Sequence, residues 1–284
     1  MQPVSTSGDE GFRRAAEKLG SLHEGEHCVN EVVALGPKVI PLVRELLFKR
    51  DPSGLFHARV HAVDALVTLG AYDVLADFLR LDRAASDPVE KLGDEAVIGA
   101  AARGVAHSGQ EWAFQLLLEL ARKFHYTGGI IAALGSFRRP ESIPVLVSAL
   151  AEDEARMPAE GALKAIGTPA LPALIDAAIL HLPSAADESE SSFRHRRSAL
   201  HLVCEIGLPK SLWPKVRHLM IDSDAQIALL ACKLCIDCAD EAERQEAGRH
   251  LQRLRNRVDW LEKTQIDRYL SECGIPNKID GSRT

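Results

Sequence analysis

The sequence of 284 residues predicts an all-α fold, an α-solenoid made of consecutive helical hairpins. Small residues end a series of apolar helical segments, and prolines begin a second helix soon after many of them. No run of Val, Ile or Thr alternates with polar residues, as it would in a strand. Hairpins that can bury their apolar faces only against neighbouring hairpins stack into a solenoid.

The stretch 142–167 shows the repeat most clearly. Pro144 falls near the start of a predicted helix over 140–151. Proline is tolerated at the start of a helix, because the backbone N–H that it lacks would have no helical partner there. An acidic turn follows, and a second helix over 156–166 ends at Gly167. This second helix contains Pro158, which we expect to lie in its first turn.

The repeats align on the small residue that closes each second helix. These closing residues are Gly36, Gly70, Gly109, Gly135, Gly167, Gly207, Ala239 and Gly274. Small residues stand eight positions earlier, at Cys28, Ala62, Ala101, Thr127, Ala159, Ala199 and Ala231, with Ile266 as the exception. Apolar residues stand four positions earlier, at Val32, Leu66, Val105, Ile131, Leu163, Val203, Cys235 and Leu270. Both rows lie on one side of a helix, so we expect them in the core.

Arginine stands eleven positions before the closing residue in three repeats, at Arg59, Arg156 and Arg196. Ile-Pro-x-Leu followed by Arg-x-x-Ala-x-x-Ala-Leu-x-x-Leu/Ile-Gly resembles the HEAT repeat, in the variant similar to phycobilisome-lyase repeats. The resemblance covers about residues 27–274. It implies a right-handed α-solenoid of about seven HEAT-like hairpins, in which the glycine-terminated helices line a concave groove and the proline-bearing helices lie outside. It also implies a scaffold or adaptor that binds a protein or peptide in that groove.

Three regions are predicted along the chain: an N-terminal arm and capping helix over 1–26, the solenoid over 27–274, and a disordered tail over 275–284. An acidic, serine-rich insertion over 183–192 is predicted to be mobile. The helices are predicted at 27–35, 37–50, 56–69, 72–83, 95–108, 111–123, 124–135, 140–151, 156–166, 169–182, 193–206, 209–221, 224–238, 241–253 and 258–273. Gly128 and Gly129 weaken the seventh helix, which predicts a kink or a close helix contact there.

Charge and hydropathy limit the classes of partner and the cellular compartment that the sequence predicts. A net charge of −6 makes nucleic acid an unlikely general ligand, although bases slightly outnumber acids over 193–268. No apolar run reaches the ~20 residues of a membrane span, and the first ten residues are polar. The sequence therefore predicts a cytoplasmic protein that does not contact a membrane.

Two residue clusters resemble metal sites. Cys232, Cys235 and Cys238 have C-x2-C-x2-C spacing, but the repeat register puts the last two on the core side of a helix, which predicts a structural role. His57, His61 and Asp64 form one helical stripe that could hold a divalent metal only with a ligand from a neighbouring helix. We interpret them as polar groove residues and predict no metal and no cofactor.

Eight residues fall on or beside the stripe that would face the groove. They are His57, His61, Asp64, Arg103, His107, Arg197, His201 and Lys233.

Two families of enzymes built on similar repeats would require residues that this sequence lacks. An alkylpurine DNA glycosylase of the HEAT-like type would need a basic groove with aromatic residues, but the stripe mixes charges, and the three tryptophans do not share a register. A di-iron hydroxylase similar to deoxyhypusine hydroxylase would need several His-Glu pairs, and His23-Glu24 is the only such pair. The sequence therefore predicts no catalytic residue. A nucleic-acid-binding or DNA-repair protein, and a lyase or metal-dependent enzyme, remain the alternatives.

Overall fold

The computed structural model describes residues 11, 14, 18–19, 25–50, 56–81, 87–123, 128–182, 188–272 and 274. These residues form fifteen α-helices, and no strand occurs among them. The chain divides into two compact units, Met1–Arg138 and Arg139–Thr284, hereafter unit 1 and unit 2. Most of the predicted arm, the core of the predicted insertion and the predicted tail fall outside the described ranges.

From residue 25 onward, the described part of unit 1 forms seven α-helices. They are α1 (Gly25–Ala34), α2 (Ile40–Phe48), α3 (His57–Thr68), α4 (Tyr72–Arg80), α5 (Pro88–His107), α6 (Glu111–Lys123) and α7 (Gly128–Gly135). The glycine-terminated helices α1, α3, α5 and α7 pack side by side in that order. The intervening helices α2, α4 and α6 each pack against the glycine-terminated helix that follows. Helix α5 begins seven residues before its predicted start, because Asp87 accepts hydrogen bonds from the backbone N–H groups of Val89 and Glu90 as an N-cap.

The described residues of unit 2 form eight α-helices. They are α8 (Ile143–Ala149), α9 (Asp153–Ile166), α10 (Leu171–Ile179), α11 (Glu190–Ile206), α12 (Trp213–Val216), α13 (Ala225–Cys238), α14 (Glu241–Leu254) and α15 (Trp260–Glu272). The order repeats that of unit 1: α9, α11, α13 and α15 pack side by side. The 3₁₀ turn Arg217–Ile221 extends α12.

The predicted core rows are confirmed in both units. Every described residue eight positions before a closing residue is buried, from Cys28 to Ile266. Every residue four positions before a closing residue is also buried, from Val32 to Leu270. Thr127 lies outside the described residues. Small side chains at the first position let neighbouring helices approach, and larger apolar side chains at the second position fill the space between them.

The described helices end at glycine and begin at proline where the sequence predicts it, with one exception. Six of the closing glycines adopt a positive φ, among them Gly167 at 77°, whose N–H donates to the Leu163 carbonyl at 3.0 Å. Gly135 is instead the last residue of α7, and Arg138 takes the positive φ of 53° three residues later. Pro41, Pro144, Pro172 and Pro214 all stand in the first two positions of their α-helices, as predicted.

The prediction for Pro158 is wrong. Helix α9 begins at Asp153, three residues before its predicted start, so Pro158 lies inside the helix rather than in its first turn. Proline has no N–H to donate, so the carbonyl four residues earlier, that of Glu154, loses its usual helical bond. Glu154 is exposed, so water can satisfy this carbonyl.

Part of the predicted acidic insertion is helical. Residues 190–192 are the first turn of α11, and the Ser189 hydroxyl oxygen accepts a hydrogen bond from the Ser192 N–H at 3.1 Å. Glu188 Oε1 accepts from the Ser192 hydroxyl at 2.6 Å. Residues 183–187 lie outside the described part of the chain.

Helices α5 and α7 come into backbone contact at two glycines. A Cβ atom added to Gly129 would lie 2.4 Å from Gly99 Cα. Such an approach is possible only without side chains, so the close helix contact expected at Gly128 and Gly129 is present.

Two buried arginines occupy the same repeat position in different units. Arg59 Nε donates to the Leu47 carbonyl at 3.0 Å, and Arg196 Nε donates to the Ala178 carbonyl at 3.0 Å. Leu47 and Ala178 are each the penultimate residue of the preceding helix, α2 or α10. Each arginine therefore satisfies a carbonyl at a helix end that has no partner within its own helix.

The two guanidinium groups also bind carboxylates. Arg59 pairs with Asp94 of α5 at 2.7 Å, and Arg50 also binds that carboxylate. Arg196 binds Glu188 at 2.8 Å and also binds Asp222. Both carboxylate partners of Arg196 are mostly buried, so the cation and the anions offset the cost of removing each other from water.

Asp94 gives unit 1 a defined pH dependence. Burial by itself raises the pKa of Asp94, but the hydrogen bonds from Arg50 and Arg59 outweigh burial and hold that pKa below its ordinary value. A carboxyl with a depressed folded-state pKa stabilises the fold above its unfolded pKa of about 3.9, and this stabilisation is lost as the pH falls through the folded pKa.

We expect Asp94→Asn to lower the free energy of unfolding at pH 7 by about 1.5–3 kcal/mol, the usual value of a hydrogen bond to a charged group. The difference from the wild type should stay constant from pH 7 to pH 5 and shrink below about pH 4, where the wild-type carboxyl becomes protonated. Urea denaturation at pH 7, 5, 4 and 3 would measure it. A difference that already shrinks between pH 7 and pH 5 would mean that the folded-state pKa is raised.

Candidate functional site

The structure places the eight predicted groove residues in two groups. His57, His61 and Asp64 lie on α3, and Arg103 and His107 lie on the adjacent helix α5, all in unit 1. The other three predicted residues belong to unit 2: Arg197 and His201 on α11, and Lys233 on α13. Each group lies on helices that pack side by side within its own unit.

In unit 1 the two histidines of α3 are held by local contacts. The His57 ring stacks on Phe56 with 4.7 Å between ring centroids. His61 Nδ1 lies 2.9 Å from the Leu19 carbonyl oxygen, which can only accept, so Nδ1 donates this bond. Arg103 and His107 are exposed on α5 and are therefore the better candidates for partner contacts.

The stripe on α3 does not assemble a metal site. Within the described ranges, no group of three or more His, Cys, Asp or Glu side chains is placed to hold a metal ion. His61 commits one ring nitrogen to a backbone carbonyl. His57 and His61 are partly buried, and Asp64 is exposed.

In unit 2 a groove of about 340 Å³ lies on the second helices of successive repeats, α9, α11, α13 and α15. It brings together two predicted residues, Arg197 and His201, which lie one helical turn apart on α11. Its remaining lining residues are Glu160, Ser198, Gln226, Leu229, Leu230, Asp259, Leu261, Glu262 and Gln265. We call this feature the unit 2 groove.

Side-chain hydrogen bonds and ion pairs connect each pair of neighbouring helices along the unit 2 groove. Lys164 of α9 binds Glu205 of α11 at 2.9 Å, and Gln226 of α13 donates to Glu262 of α15 at 3.2 Å. Between them, Arg197 of α11 binds Asp224 at the start of α13, with Nε 3.1 Å from Oδ1. Side-chain contacts therefore link all four helices that line the groove.

The Arg197–Asp224 pair also caps helix α13. Asp224 Oδ1 accepts from the N–H groups of Gln226 and Ile227. Burial raises the pKa of Asp224, but the bond from Arg197 and these backbone donors outweigh burial, so the pKa lies below its ordinary value. The hydrogen bond to Asp224 raises the pKa of Arg197 in turn. Arg197 has a structural role in addition to its place in the groove.

Lys233 was predicted as a groove residue and is not among the lining side chains. It lies on α13 one turn beyond Leu229 and Leu230, and its ammonium binds Asp237 at 2.9 Å. Burial by itself lowers the pKa of Lys233, but the bond to Asp237 outweighs burial and raises it. Lys233 therefore extends the same helix face beyond the groove.

The cysteines of α13 lie on the core side of the helix, as the repeat register predicted for Cys235 and Cys238. Cys232, Cys235 and Cys238 are buried in α13. Burial raises the pKa of Cys235 and of Cys204 to about 12 in each case. Thiols with such pKa values stay protonated at neutral pH, whereas a nucleophilic cysteine must be a thiolate.

The apolar lining was missed by reasoning from the sequence. Leu229 and Leu230 lie in a helix whose apolar residues are mostly core, and Leu261 lies in the terminal helix, for which no groove residue was predicted. Leu261 is 53% exposed, and its neighbour Trp260 is 75% exposed. Two consecutive large apolar residues directly after the N-cap of α15 were the available signal.

A second cleft, of about 520 Å³, lies in unit 1 on α4 and α6 rather than on the glycine-terminated helices. Arg80, Arg122 and Lys123 border it together with Glu119 and Trp112. All three cations stand in the last turns of their helices, where positive side chains compensate the partial negative charge of the helix end. The structure therefore gives them a stabilising role at those helix ends.

Comparison with solved structures identifies the fold. The chain is similar to importin beta, a HEAT-repeat protein, with a TM-score of 0.58 over 92% of this chain at 14% sequence identity. The fold is that of the HEAT-repeat proteins. The predicted α-solenoid is thereby confirmed. The chain spans 38% of the length of that importin beta chain, and at 14% identity the HEAT-repeat likeness describes the fold alone.

Other comparisons add little. An engineered protein matches 95% of this chain and 76% of its own length at 16% identity, with a TM-score of 0.38. No family model and no curated protein matches the sequence. Among the described helices none is by itself long and apolar enough to cross a membrane; only α9 together with Thr168–Ile179, bent by 115°, passes by length and composition.

Proposed function

We propose that the protein is a non-catalytic HEAT-repeat scaffold or adaptor that binds a protein or peptide segment. The unit 2 groove carries the proposal, because the second helices of four successive repeats line it. It offers exposed apolar surface beside charged and hydrogen-bonding side chains, the composition that binding sites for polypeptides use.

The links between the helices of the groove favour binding. The Lys164–Glu205, Arg197–Asp224 and Gln226–Glu262 contacts connect α9, α11, α13 and α15 in the absence of a partner. A site ordered in advance loses little conformational entropy on binding. Its surface can therefore be small and still give useful affinity.

The ionisable groups beside the groove favour binding over catalysis. The Cys204 thiol on α11 has a pKa raised to about 12 by burial, so it is not a nucleophile at neutral pH. Arg197 is engaged by two carboxylates, Asp224 and Glu190. Side chains with such partners orient a bound chain but transfer no proton near pH 7.

We infer that the predicted residues of unit 1 form a further contact surface. Arg103 and His107 are exposed on α5, and Asp64 is exposed on the neighbouring helix α3. Together with His57 and His61 they would contact the same partner or a second segment of it. Multiple weak contacts of this kind are typical of repeat proteins, whose surfaces are extended.

The cysteine chemistry supports a cytoplasmic setting for the binding. Cys28, Cys204, Cys235 and Cys238 are free thiols. Buried thiols without disulfides are typical of proteins in reducing compartments.

Leu261→Asp tests the proposed site. We expect partner affinity to fall by about 10- to 150-fold, since burying a leucine side chain contributes about 1.5–3 kcal/mol. The immobilised protein would first capture partners from a cell extract; a captured protein would then be purified, and its affinity for wild type and variant measured by calorimetry.

Leu180→Asp is the matched control. Leu180 is 65% exposed at the end of α10, outside the groove, so this variant should bind like the wild type. Equal losses in both variants, or no loss in either, would contradict the assignment of the unit 2 groove.

A further inference from the structure

We propose that the unit 2 groove selects a polypeptide segment in which an apolar side chain is flanked by lysine or arginine. This inference rests on the proposed function of the groove and names the chemistry of its partner. It follows from the apolar surface of the groove, the sign of the charge around it, and its volume.

The apolar surface comes from three leucines on two helices. Leu229 and Leu230 of α13 form the deeper part, since Leu229 is only 4% exposed and Leu230 is half-buried. Leu261 of α15 is the exposed part. An apolar side chain placed among them would be removed from water on several sides, which is favourable in proportion to the area buried.

The charge around the groove is negative. Glu160, Asp259 and Glu262 are lining residues. Arg197 is the lining cation, and its charge is offset by Asp224 and by Glu190, whose carboxylate lies 3.3 Å from the guanidinium. His201 Nδ1 lies 3.9 Å from the Glu205 carboxylate, whose charge is offset by Lys164 at 2.9 Å, so the net negative charge comes from the lining carboxylates.

Two of these carboxylates also cap α15, and this reduces their charge only in part. Asp259 Oδ1 accepts from the N–H groups of Leu261 and Glu262, and Glu262 Oε2 accepts from the Asp259 N–H. A carboxylate has about four acceptor positions, so both groups can bind a partner's cation as well. Glu160, in the middle of α9, has no helix end beside it to compensate its charge.

The volume fits a short segment. Pockets that enclose whole small ligands measure roughly 300–1,000 Å³, so 340 Å³ accommodates one or two side chains. The flanking cations of the segment would lie against the acidic groups outside. An acidic segment or a nucleic acid would meet like charges in the same place.

Three fluorescently labelled peptides of twelve residues would test the inference. The first has a central Leu-Phe pair flanked by lysine and arginine, the second has glutamate at every basic position, and the third has serine in place of Leu-Phe. Fluorescence anisotropy at 50 mM NaCl should show the first binding at least tenfold more tightly than the other two. Its affinity should fall several-fold at 300 mM NaCl, because salt screens exposed charges.

Variants locate the interaction. Glu160→Lys should weaken binding of the first peptide at least fivefold. Asp176→Lys makes the same change in charge at an exposed position of α10 outside the groove and should have little effect. Circular dichroism and urea denaturation of both variants would show that they fold like the wild type.

The possible results separate this inference from the function on which it rests. If the glutamate peptide binds as well as the basic one and Leu261→Asp abolishes both, the groove is the site and the charge selection is wrong. If the basic peptide binds but neither Leu261→Asp nor Glu160→Lys weakens it, the groove is not the site and both proposals fail. Absence of binding by the basic peptide at 1 mM overturns the inference.

Discussion

Replacing Arg196 by methionine is expected to lower the free energy of unfolding by about 3–5 kcal/mol, the usual cost of removing one partner of a buried ion pair. Arg196 is 1% exposed and binds Glu188, Asp222 and the Ala178 carbonyl. Methionine replaces the apolar part of the side chain but leaves two buried carboxylates without their cation. Urea denaturation followed by circular dichroism would measure the loss.

Arg156→Met is the matched control, because Arg156 occupies the same repeat position. Its guanidinium is partly exposed and lies 3.2 Å from the exposed carboxylate of Asp153. Pairs of this kind contribute about 0–1 kcal/mol. A similar loss in both variants would show that the repeat position, rather than the buried carboxylates, determines the effect.

Gly129→Ala should lower the free energy of unfolding by about 1–3 kcal/mol or more, the range reported for overpacked cores. The added methyl group would meet the backbone of Gly99 at 2.4 Å, and a backbone cannot rotate aside as a side chain can. Helices α5 and α7 would have to separate along their contact. Thermal and urea unfolding would show the change.

Gly161→Ala provides the comparison within a helix that has free space. Gly161 lies in α9, is exposed, and would have no neighbouring atom within 4 Å of an added Cβ. Alanine there should raise the free energy of unfolding by about 0.4–1 kcal/mol, since it restricts the unfolded chain and favours the helix. A stabilised Gly129→Ala variant would mean that the α5–α7 contact is wider than the structure shows.

The core could be predicted from the sequence because the same spacing of small and apolar residues recurs in successive repeats. Ala62 and Leu66 precede Gly70 as Ala199 and Val203 precede Gly207, and all four side chains are buried. One repeat alone would have been ambiguous. The closing residue gave a common register, and helical geometry then placed both rows on one side.

The different surroundings of the arginines could not be predicted. Arg59, Arg156 and Arg196 share a register, yet burial depends on carboxylates that come from distant parts of the chain. Asp94 is 35 residues from Arg59, and Asp222 is 26 residues from Arg196. A local pattern carries no information about such partners.

The candidate site was predicted in part. Arg197 and His201 were predicted because their positions in the repeat lie on the side of the helix that faces away from the core. The structure places both in the unit 2 groove. Leu229, Leu230 and Leu261 were missed because an apolar residue in a helix is usually assigned to the core. Only the packing of α13 against α15 leaves part of this apolar surface open.

The buried arginines also bear on how the repeats would unfold. In a repeat array, the free energy of unfolding is the sum of the intrinsic stability of each hairpin and the stabilisation from each interface between neighbouring hairpins. Arg196 joins α11 to α10 within its own hairpin through Ala178, and to the following hairpin through Asp222. One side chain thus contributes to both terms, so a hairpin cannot lose its internal contact without also weakening the junction. Such shared contacts favour cooperative loss of neighbouring repeats over fraying one hairpin at a time.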